Sequence, residues 1–575
     1  MRYIYLILQI IIISFISAKK NDVNFSNSEN TDSYLEMLDD AFYKLKETYV
    51  DSINESEIIK EGIKGMVKKL DPYTSFLSGS SKDRLDVLKS GKYRGVGIQI
   101  GVVRDTLSVL SVFEDSPAYS IGLETGDKII KIDTVKTKGM KTREASKLIK
   151  GEKGTVVDLT IYRTFTKEKL IFSITRGDVK VNHVPYWGID EEGVGYIKIT
   201  KFSKNTSNDF KKALKSMKSS NLPFKGLIID LRSNTGGLLR NAISILDALI
   251  ERGTKLLYTK GRTFRSSSER FSRLRPMVDK DFPIVVLVNK NSASASEIVA
   301  GVLQDLDRAV IVGQKSFGKG LVQSMYNLND STTLKVTTSK YFMPYSNRLI
   351  QKKDYFSSQY MFDQDEVQKD TVLFTRGGRP VVNGNGITPD LIIENEKVPP
   401  FVNSLWQNKM FLSFANYYLN NNSFTKVDQN IIKSFENFVK SYKIDYKLEG
   451  EKELDQFKDI FIDSDFDQYE ESIFNKLFFW KQPKSKIEIL TLNIDKFYEE
   501  EKKKRFVNPS NVKWIENGLE RELAAKSINS KKKSESIKIS LKVDTQYIHG
   551  KKIILDTNRY FDILTSEGLN NAVRN

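Results

Sequence analysis

The sequence has no cysteine and only two histidines, His183 and His549, among its 575 residues. The lack of cysteine excludes disulfides, thiolate metal sites and cysteine nucleophiles. A zinc site of three histidines cannot be built, and a Ser-His-Asp triad would have to use one of these two rings. Neither histidine lies in a glycine-rich or small-residue segment, so we interpret His183 as structural and His549 as a surface residue.

The sequence also has fewer acidic than basic residues. It contains 73 Asp and Glu residues against 90 Lys and Arg residues, which gives a net charge of +17. Lysine is abundant throughout the chain rather than in one patch, so we expect no nucleic-acid partner. Apolar residues make up 39% of the chain. That fraction is ample for packed cores and excludes a wholly disordered protein.

One apolar run lies near the start of the chain. Arg2 precedes residues 3–16, which only Gln9 interrupts, and Ser17 and Ala18 follow. This pattern predicts a secretory signal over residues 1–18. The run is shorter than the ~20 residues of a membrane span, and an uncleaved N-terminal anchor is the alternative. We therefore expect an exported protein, periplasmic or anchored to the outer side of the cytoplasmic membrane, where a chain without cysteine avoids mispairing.

Four segments of different character follow. Residues 34–88 carry apolar residues at helical spacing and predict a helical region. Residues 89–176 contain short alternating strands separated by turn signals, which indicates a small β domain. Strands alternate with helices over residues 177–395, which is typical of an α/β core with parallel strands. Residues 396–575 predict a helical, partly flexible domain. The predicted fold class is multidomain α/β.

A run of small residues follows the predicted strand 284–288 and leads into a predicted helix. A strand-to-helix turn exposes a side chain at the carboxyl edge of a sheet, and the N–H groups at a helix start can stabilise an oxyanion. Ser294, in the middle of this run, is therefore a candidate nucleophile. Ser294 also stands three residues before Glu297 in a capping box, so a plain helix N-cap is the alternative.

A nucleophilic serine needs a base, and lysine can supply one. Lys319 lies between Gly318 and Gly320, 25 residues after Ser294. A lysine base must be neutral, so burial would have to lower its pKa from ~10.4 towards ~7–8. An ordinary turn lysine is the alternative. A phosphate-binding loop is not indicated, because the spacing GxxxxGK[ST] is absent.

A glycine pair, Gly236 and Gly237, closes the predicted strand 226–231 and precedes a predicted helix. Such a pair can direct backbone N–H groups at a developing oxyanion. An ordinary strand–turn–helix junction is the alternative.

Together these segments resemble the carboxyl-terminal processing proteases, also called tail-specific proteases, which are PDZ-containing serine endopeptidases with a Ser–Lys dyad. The resemblance covers roughly residues 34–395. It rests on features that follow one another in the family's order: residues 65–73, the PDZ features at 95–98 and 122–132, the glycine pair within 230–237, the SASASE run at 292–297, residues 317–323, and the glycine-rich segments 377–380 and 384–390.

The resemblance implies a role for individual residues. Ser294 is the implied nucleophile, Lys319 the general base, and Gln323 the residue that positions the lysine. Asp305 matches an acidic residue with a supporting role. The implied core resembles that of the crotonases and of Clp protease.

The implied oxyanion donors are the N–H of Ala295 and one N–H of the pair Gly236 and Gly237. Thr235 stands where proline is frequent in the family. The implied mechanism needs no metal and no cofactor.

The PDZ features imply peptide binding as well. A PDZ domain captures a C-terminal carboxylate with backbone N–H groups and adds the peptide as a strand. The segment Gly95, Val96, Gly97 and Ile98 is placed to be that loop. A PDZ fold that has lost peptide binding and serves only as a gate is the alternative.

The sequence therefore predicts an exported serine endopeptidase that cleaves polypeptides near their C-termini. The expected partners are polypeptides with exposed C-terminal tails, an activating adaptor, and a second copy bound through the C-terminal domain. A non-catalytic peptide-binding scaffold is the competing interpretation. A third interpretation is an assembly platform, for which removal of the residues after about 395 would abolish assembly while the core still folds.

Overall fold

The computed structural model describes residues 28–103, 105–113, 115–164, 166–351, 371–420, 422–442, 444–456, 486–527 and 532–565. The predicted signal at residues 1–18 lies outside them. No helix within these ranges is both long enough and apolar enough to span a membrane. The chain divides into two compact units, Met1–Phe76 and Leu77–Asn575.

The first unit is helical where it is described. Helix α1 spans Ser28–Thr48 and α2 spans Glu55–Lys68. Asn54 caps α2, because its side chain accepts a hydrogen bond from the N–H of Glu57 at 3.2 Å. Strand β1 (Ser75–Ser78) spans the boundary between the units.

The second unit begins with a small β domain that a helix precedes. Its elements are α3 (Ser80–Ser90), β2 (Lys92–Gly95), β3 (Ile98–Val103), β4 (Thr106–Val112), α4 (Pro117–Ser120), β5 (Lys128–Ile132), β6 (Val135–Lys136), α5 (Thr142–Ile149), β7 (Val156–Arg163), β8 (Glu168–Thr175) and β9 (Gly177–Lys180). The main sheet has the order β3-β4-β5-β7-β8, so β3 is an edge strand. Side chains that alternate inward along β4, β5 and β7 form its core with α5.

The α/β core follows. Its elements are β10 (Tyr186–Ile189), β11 (Val194–Lys198), α6 (Thr206–Lys218), β12 (Gly226–Asp230), α7 (Leu239–Leu246), β13 (Lys255–Gly261), β14 (Ser268–Phe271), β15 (Ile284–Val288), α8 (Ala295–Asp305), β16 (Val310–Gly313), β17 (Leu321–Asn329), β18 (Thr332–Phe342), β19 (Val372–Phe374), β20 (Pro380–Val382) and β21 (Leu391–Ile392).

The central sheet of the core has the order β10-β11-β12-β15-β16-β21. Strand β10 is antiparallel to β11, and the other neighbours are parallel. Strands β12 and β15 are fully buried and almost continuously apolar, as expected for parallel strands covered on both faces. Helices α6, α7 and α8 cover one face. A second sheet holds β17, β18, β13 and β14, and its long hairpin β17–β18 starts two residues after Lys319.

The remaining elements are helices: α9 (Pro400–Gln407), α10 (Met410–Tyr418), α11 (Gln429–Lys440), α12 (Lys486–Lys503), α13 (Pro509–Ser527), α14 (Lys532–Leu541), α15 (Thr545–Leu555) and α16 (Thr557–Ile563). An aromatic cluster holds α9, α10, α11 and α13 together, with Phe401, Phe411, Phe414 and Phe435 fully buried.

The last helices do not belong to that cluster. Helices α15 and α16 pack on the second face of the central sheet, where Ile554 and Tyr560 join Ile228 and Val285 in one core. Ile554 lies so close to Gly226 that a Cβ there would come within 2.4 Å of its Cγ2. The core is thus three-layered, and its third layer comes from the segment that we predicted to be a separate domain after residue 395. Without α15 and α16, the side chains of Ile228 and Val285 would lose their cover on this face of the sheet.

The multidomain α/β class is confirmed, whereas the domain boundaries stay predictions.

Candidate active site

Ser294 lies between strand β15 and helix α8, in a strained backbone conformation. Its φ is +56° and its ψ is −114°, values that a residue with a side chain rarely adopts. Such strain costs about 1–3 kcal/mol and is common at functional sites. The side chain of Ser294 makes no capping hydrogen bond to the helix. The predicted alternative, a plain helix N-cap, is therefore realised only in part. Glu297 makes its half of the capping box by accepting the N–H of Ser294, and the Ser294 side chain does not make the other half.

Glu297 connects the serine to the lysine through the backbone. Its Oε2 accepts the N–H of Ser294 at 2.7 Å and the N–H of Lys319 at 2.9 Å. Its Oε1 accepts the Ser316 hydroxyl at 2.5 Å and the N–H of Gly318 at 2.6 Å. The side chain is fully buried, and this burial raises the pKa of the carboxyl although the four hydrogen bonds oppose the rise. One carboxylate therefore fixes the two candidate catalytic segments to each other.

Lys319 lies in the loop between β16 and β17. Its Nζ donates to Oε1 of Gln323 at 2.8 Å, which is the contact that the resemblance implied. The other end of the Gln323 amide, Nε2, is buried without a partner among the described residues. The loop needs glycine at position 320, since a Cβ there would lie 2.9 Å from the backbone nitrogen of Gln351.

Tyr341 on β18 also holds the loop that contains Lys319. Its buried hydroxyl donates to the carbonyl of Lys319 at 2.8 Å and lies 3.4 Å from the carbonyl of Ser294. The backbone N–H groups and carbonyls of Ser294 and Lys319 are thus fixed by Glu297 and Tyr341, and the side chains of the two residues face the cavity described below.

The glycine pair lies directly beside the serine. A Cβ on Gly236 would come within 2.8 Å of Cβ of Ser294 and 3.0 Å of the Ala295 nitrogen. The N–H of Gly236 donates to Oδ1 of Asn234 at 2.9 Å. Phe202 pairs with the segment on either side of Gly237, because its N–H donates to the Gly236 carbonyl and its carbonyl accepts from Leu238. The N–H of Gly237 takes no part in this pairing and has no hydrogen-bond partner among the described residues.

A buried charge cluster ends strand β12 just before the pair. Asp230 accepts from the hydroxyl of Tyr196 at 2.6 Å and from Lys198 at 3.1 Å, and it pairs with Arg232 at 2.8 Å. Burial opposes ionisation of Asp230, but the charges of Arg232 and Lys198 outweigh it and hold the pKa of this carboxyl well below its usual range. Arg232 also pairs with Asp544, which caps helix α15, at 2.7 Å.

Asp305 is not brought to the site. It lies at the far end of α8, eleven residues or about 16 Å along the helix from Ser294. Its Oδ2 accepts the N–H groups of Tyr345 at 2.7 Å and of Ser346 at 3.0 Å. Any support that it gives to the reaction is therefore transmitted through the helix.

A single cavity of about 840 Å³ holds most of the predicted site residues. Five of its lining residues are Ser294, Ala295, Gly237, Lys319 and Gln323. The same cavity reaches the PDZ features, where its lining residues are Val96, Gly97, Ile98 and Ile100 on one side and Ser146 and Ile149 of α5 on the other. Gly95, Gly236 and Asp305 do not line it.

The predicted carboxylate-binding loop has a defined shape. Gly97 has a φ of +88°, and a Cβ there would come within 2.1 Å of Ser116, so only glycine fits. Its carbonyl accepts the N–H of Phe113 at 2.8 Å. Burial raises the pKa of the Tyr93 phenol to about 12, and a hydrogen bond from the N–H of Gly97 opposes part of that rise.

Two site residues lie outside the motifs of the sequence. Tyr341 carries no local signal that ties it to Ser294. His183, which we interpreted as structural, lines the cavity, and its Nδ1 lies 3.4 Å from Oγ1 of Thr200.

Comparison with known proteins defines the class to which this fold and site belong. The family model Peptidase family S41 matches residues 193–357, and the PDZ domain model matches residues 108–163. The chain is a serine-type peptidase with a PDZ domain.

The carboxy-terminal-processing protease of Bartonella bacilliformis is 36% identical over 326 residues, which cover 56% of this chain and 74% of that protein. The carboxy-terminal processing protease CtpA of Bacillus subtilis is 30% identical over 328 residues, 57% of this chain and 69% of that protein. A solved photosystem II D1 C-terminal processing protease is 24% identical and covers 61% of this chain and 86% of that chain, with a TM-score of 0.32.

This chain therefore belongs to the carboxy-terminal processing protease family, as the sequence motifs predicted.

Proposed function

We propose that this chain is an exported endopeptidase in which Ser294 and Lys319 form the catalytic dyad and the PDZ domain holds the C-terminus of the substrate. One observation supports the assignment of the dyad. A single buried oxygen of Glu297 accepts the N–H groups of both residues, and both side chains line one cavity.

The reaction follows from these positions. Ser294 Oγ attacks the peptide carbonyl while the neutral amine of Lys319 accepts its proton. The protonated lysine then gives that proton to the leaving amine, and water hydrolyses the acyl-enzyme. Gln323 holds Nζ through its carbonyl oxygen, so the lysine stays directed at one position through both transfers.

The developing oxyanion would be held by the N–H groups of Ala295 and Gly237. Gly237 is favoured over Gly236 because the N–H of Gly236 is already donated to Asn234. Ala295 is the first residue of α8, and its N–H has no acceptor within the helix. Both residues line the cavity beside Ser294. Removal of one such donor typically lowers kcat by about 10²–10³.

The substrate would dock as an added strand. Strand β3 is at the edge of its sheet, so its outer side can pair with an extended peptide. The groove between β3 and α5 is lined by Ile98, Ile100 and Ile149, which suits an apolar C-terminal side chain. Because this groove and Ser294 share one cavity, a chain bound by its C-terminus reaches the dyad directly.

The dyad is tested by digestion of a loosely folded polypeptide that ends in apolar residues, with fragments identified by mass spectrometry. The purified chain is compared with Ser294→Ala, Lys319→Ala and Lys315→Ala. Lys315 is the matched control, since it is an exposed lysine of the same loop. We expect cleavage by the parent and by Lys315→Ala only. Cleavage that survives Ser294→Ala contradicts the assignment.

Docking and export have separate tests. A substrate with an amidated C-terminus should be cleaved more slowly than the free acid, and equal rates contradict docking by the carboxylate. For export, the N-terminus of protein recovered from cells is sequenced and its compartment determined. A chain that starts at Lys19, or an intact chain held on the outer side of the membrane, supports export, and recovery from the cytoplasm contradicts it.

Adaptor binding and self-association through the C-terminal helices belong to the same proposal. Sedimentation of the purified chain tests the self-association directly.

A further inference from the structure

The cavity that contains Ser294 carries a marked excess of positive charge. Apart from Lys319, its cationic lining residues are Arg84, Lys89, Lys150, Lys201 and Lys335, which we call the cationic lining. Among the described residues that line the cavity, Asp83 is the one carboxylate. A cleft lined by charge of one sign concentrates its field and attracts ligands of the opposite sign.

Most of this charge is not neutralised within the protein. In the part of the chain that the structure describes, Arg84, Lys89, Lys150 and Lys201 form no ion pair. Neighbouring lysines differ, because Lys82 pairs with Asp86, Lys92 with Asp178 and Lys198 with Asp230. Asp86, Asp178 and Asp230 are thus paired with lysines outside the cavity, whereas these four cations of the lining have no such partner among the described residues.

The cationic lining extends from the PDZ loop to the serine. Lys150 follows α5, and its Nζ lies 5.7 Å from the centre of the Tyr93 ring, beside the predicted carboxylate-binding loop. Lys201 lies at the catalytic end, where its Nζ donates to Oγ1 of Thr235 at 2.6 Å, two residues from Gly237. A peptide that runs from the loop to the dyad would pass both ammonium groups.

The ammonium group of Lys201 has no carboxylate partner among the described residues. It is half-buried, and burial lowers the pKa of its ammonium group below the ordinary value. Its one hydrogen-bond acceptor described is a neutral hydroxyl. A carboxylate brought into the cavity by a ligand would offset the loss of hydration.

We propose that the enzyme selects polypeptide tails that carry acidic side chains upstream of an apolar C-terminal residue. The cationic lining would bind the acidic side chains, while the groove between β3 and α5 takes the apolar end. This preference rests on the proposed docking of the substrate C-terminus on the PDZ domain.

The test uses two labelled peptides with the same apolar C-terminal residue. One has a run of glutamates upstream of it, and the other has glutamines at the same positions. Binding to full-length Ser294→Ala is measured by fluorescence anisotropy at low and high ionic strength, and cleavage by the parent is measured in parallel. We expect the glutamate peptide to bind about tenfold more tightly at low ionic strength, an advantage that added salt reduces.

Two variants, built in the Ser294→Ala chain, separate the cavity from the general basicity of the protein. The double variant Lys150→Gln with Lys201→Gln should bring the two affinities close together. The double variant Lys280→Gln with Lys433→Gln is the matched control, since it removes the same charge and both lysines are exposed and do not line the cavity. It should keep the preference.

Equal affinity for the two peptides, with cleavage retained, overturns the acidic preference but not the proposed function. A preference that is the same in the cavity double variant and in the control double variant overturns it as well, because the net charge of the chain then explains it. Absence of binding by either peptide overturns the docking and the preference together.

Discussion

Gly236 offers a sharp test of the site, because its backbone requires glycine for two separable reasons. Its φ is +92°, which costs a residue with a side chain about 1–2 kcal/mol. A Cβ there would also lie 2.7 Å from the Ala293 carbonyl oxygen and 2.8 Å from Cβ of Ser294. Relief of these contacts has to move the glycine pair away from Ser294 by roughly 0.5–1 Å, and a shift of that size at a catalytic centre can lower the rate about 10²-fold.

Gly253 provides the matched control. Its φ is +85°, and a Cβ there would meet no atom within 4 Å. Gly253→Ala should therefore lose about 1–2 kcal/mol of stability in urea unfolding with kcat unchanged. Gly236→Ala should lose at least as much stability and about 10²–10³ in kcat, with a smaller effect on KM. If Gly236→Ala loses stability but keeps its kcat, the glycine pair does not face the transition state and the assignment of Gly237 is refuted.

Three further predictions concern other parts of the structure. Ser294→Gly should be inactive yet about 1 kcal/mol more stable to urea than the equally inactive Ser294→Ala, since glycine relieves the strain at φ +56°. Ile554→Ala leaves a cavity against Gly226 and should cost about 2–4 kcal/mol, whereas Leu555→Ala, at a side chain that is 36% exposed, should cost less than about 1 kcal/mol by the same measurement. Asp230 has a depressed pKa, so its contribution to stability is complete above its unfolded pKa of about 4 and is lost as the pH falls through the lower folded value. Asp230→Asn should therefore destabilise the protein by about 3–5 kcal/mol at neutral pH and by less below about pH 4. An unfolding cost that does not shrink on acidification contradicts the ionised assignment.

Local patterns were sufficient for the elements that carry the site. The almost continuously apolar stretches of β12 and β15 predicted buried strands, and the small residues before α8 marked the turn that holds Ser294. The order of the motifs then identified the family, which the comparisons confirmed.

Contacts between distant segments were not predictable in the same way. Tyr341 secures the loop of Lys319 from a strand whose sequence carries no sign of that partner. The choice between the two glycines depended on the side chain of Asn234, which takes the N–H of Gly236. Glu297 was visible only as half of a capping box, although it also holds Lys319.

The sequence predicted helices over residues 396–575, but not the surface that α15 covers. Helical spacing shows which face is apolar, and many surfaces can bury such a face. The packing of α15 and α16 on the central sheet was therefore not predicted.

That third layer also sets the order in which the core can be completed. Tyr547 of α15 contacts Asp190 at the start of the core, 357 residues earlier in the chain. Synthesis releases the sheet first, so the faces of β12 and β15 that hold Ile228 and Val285 stay uncovered until α15 and α16 have emerged. A chain exported before it has folded would therefore complete its core only on the far side of the membrane.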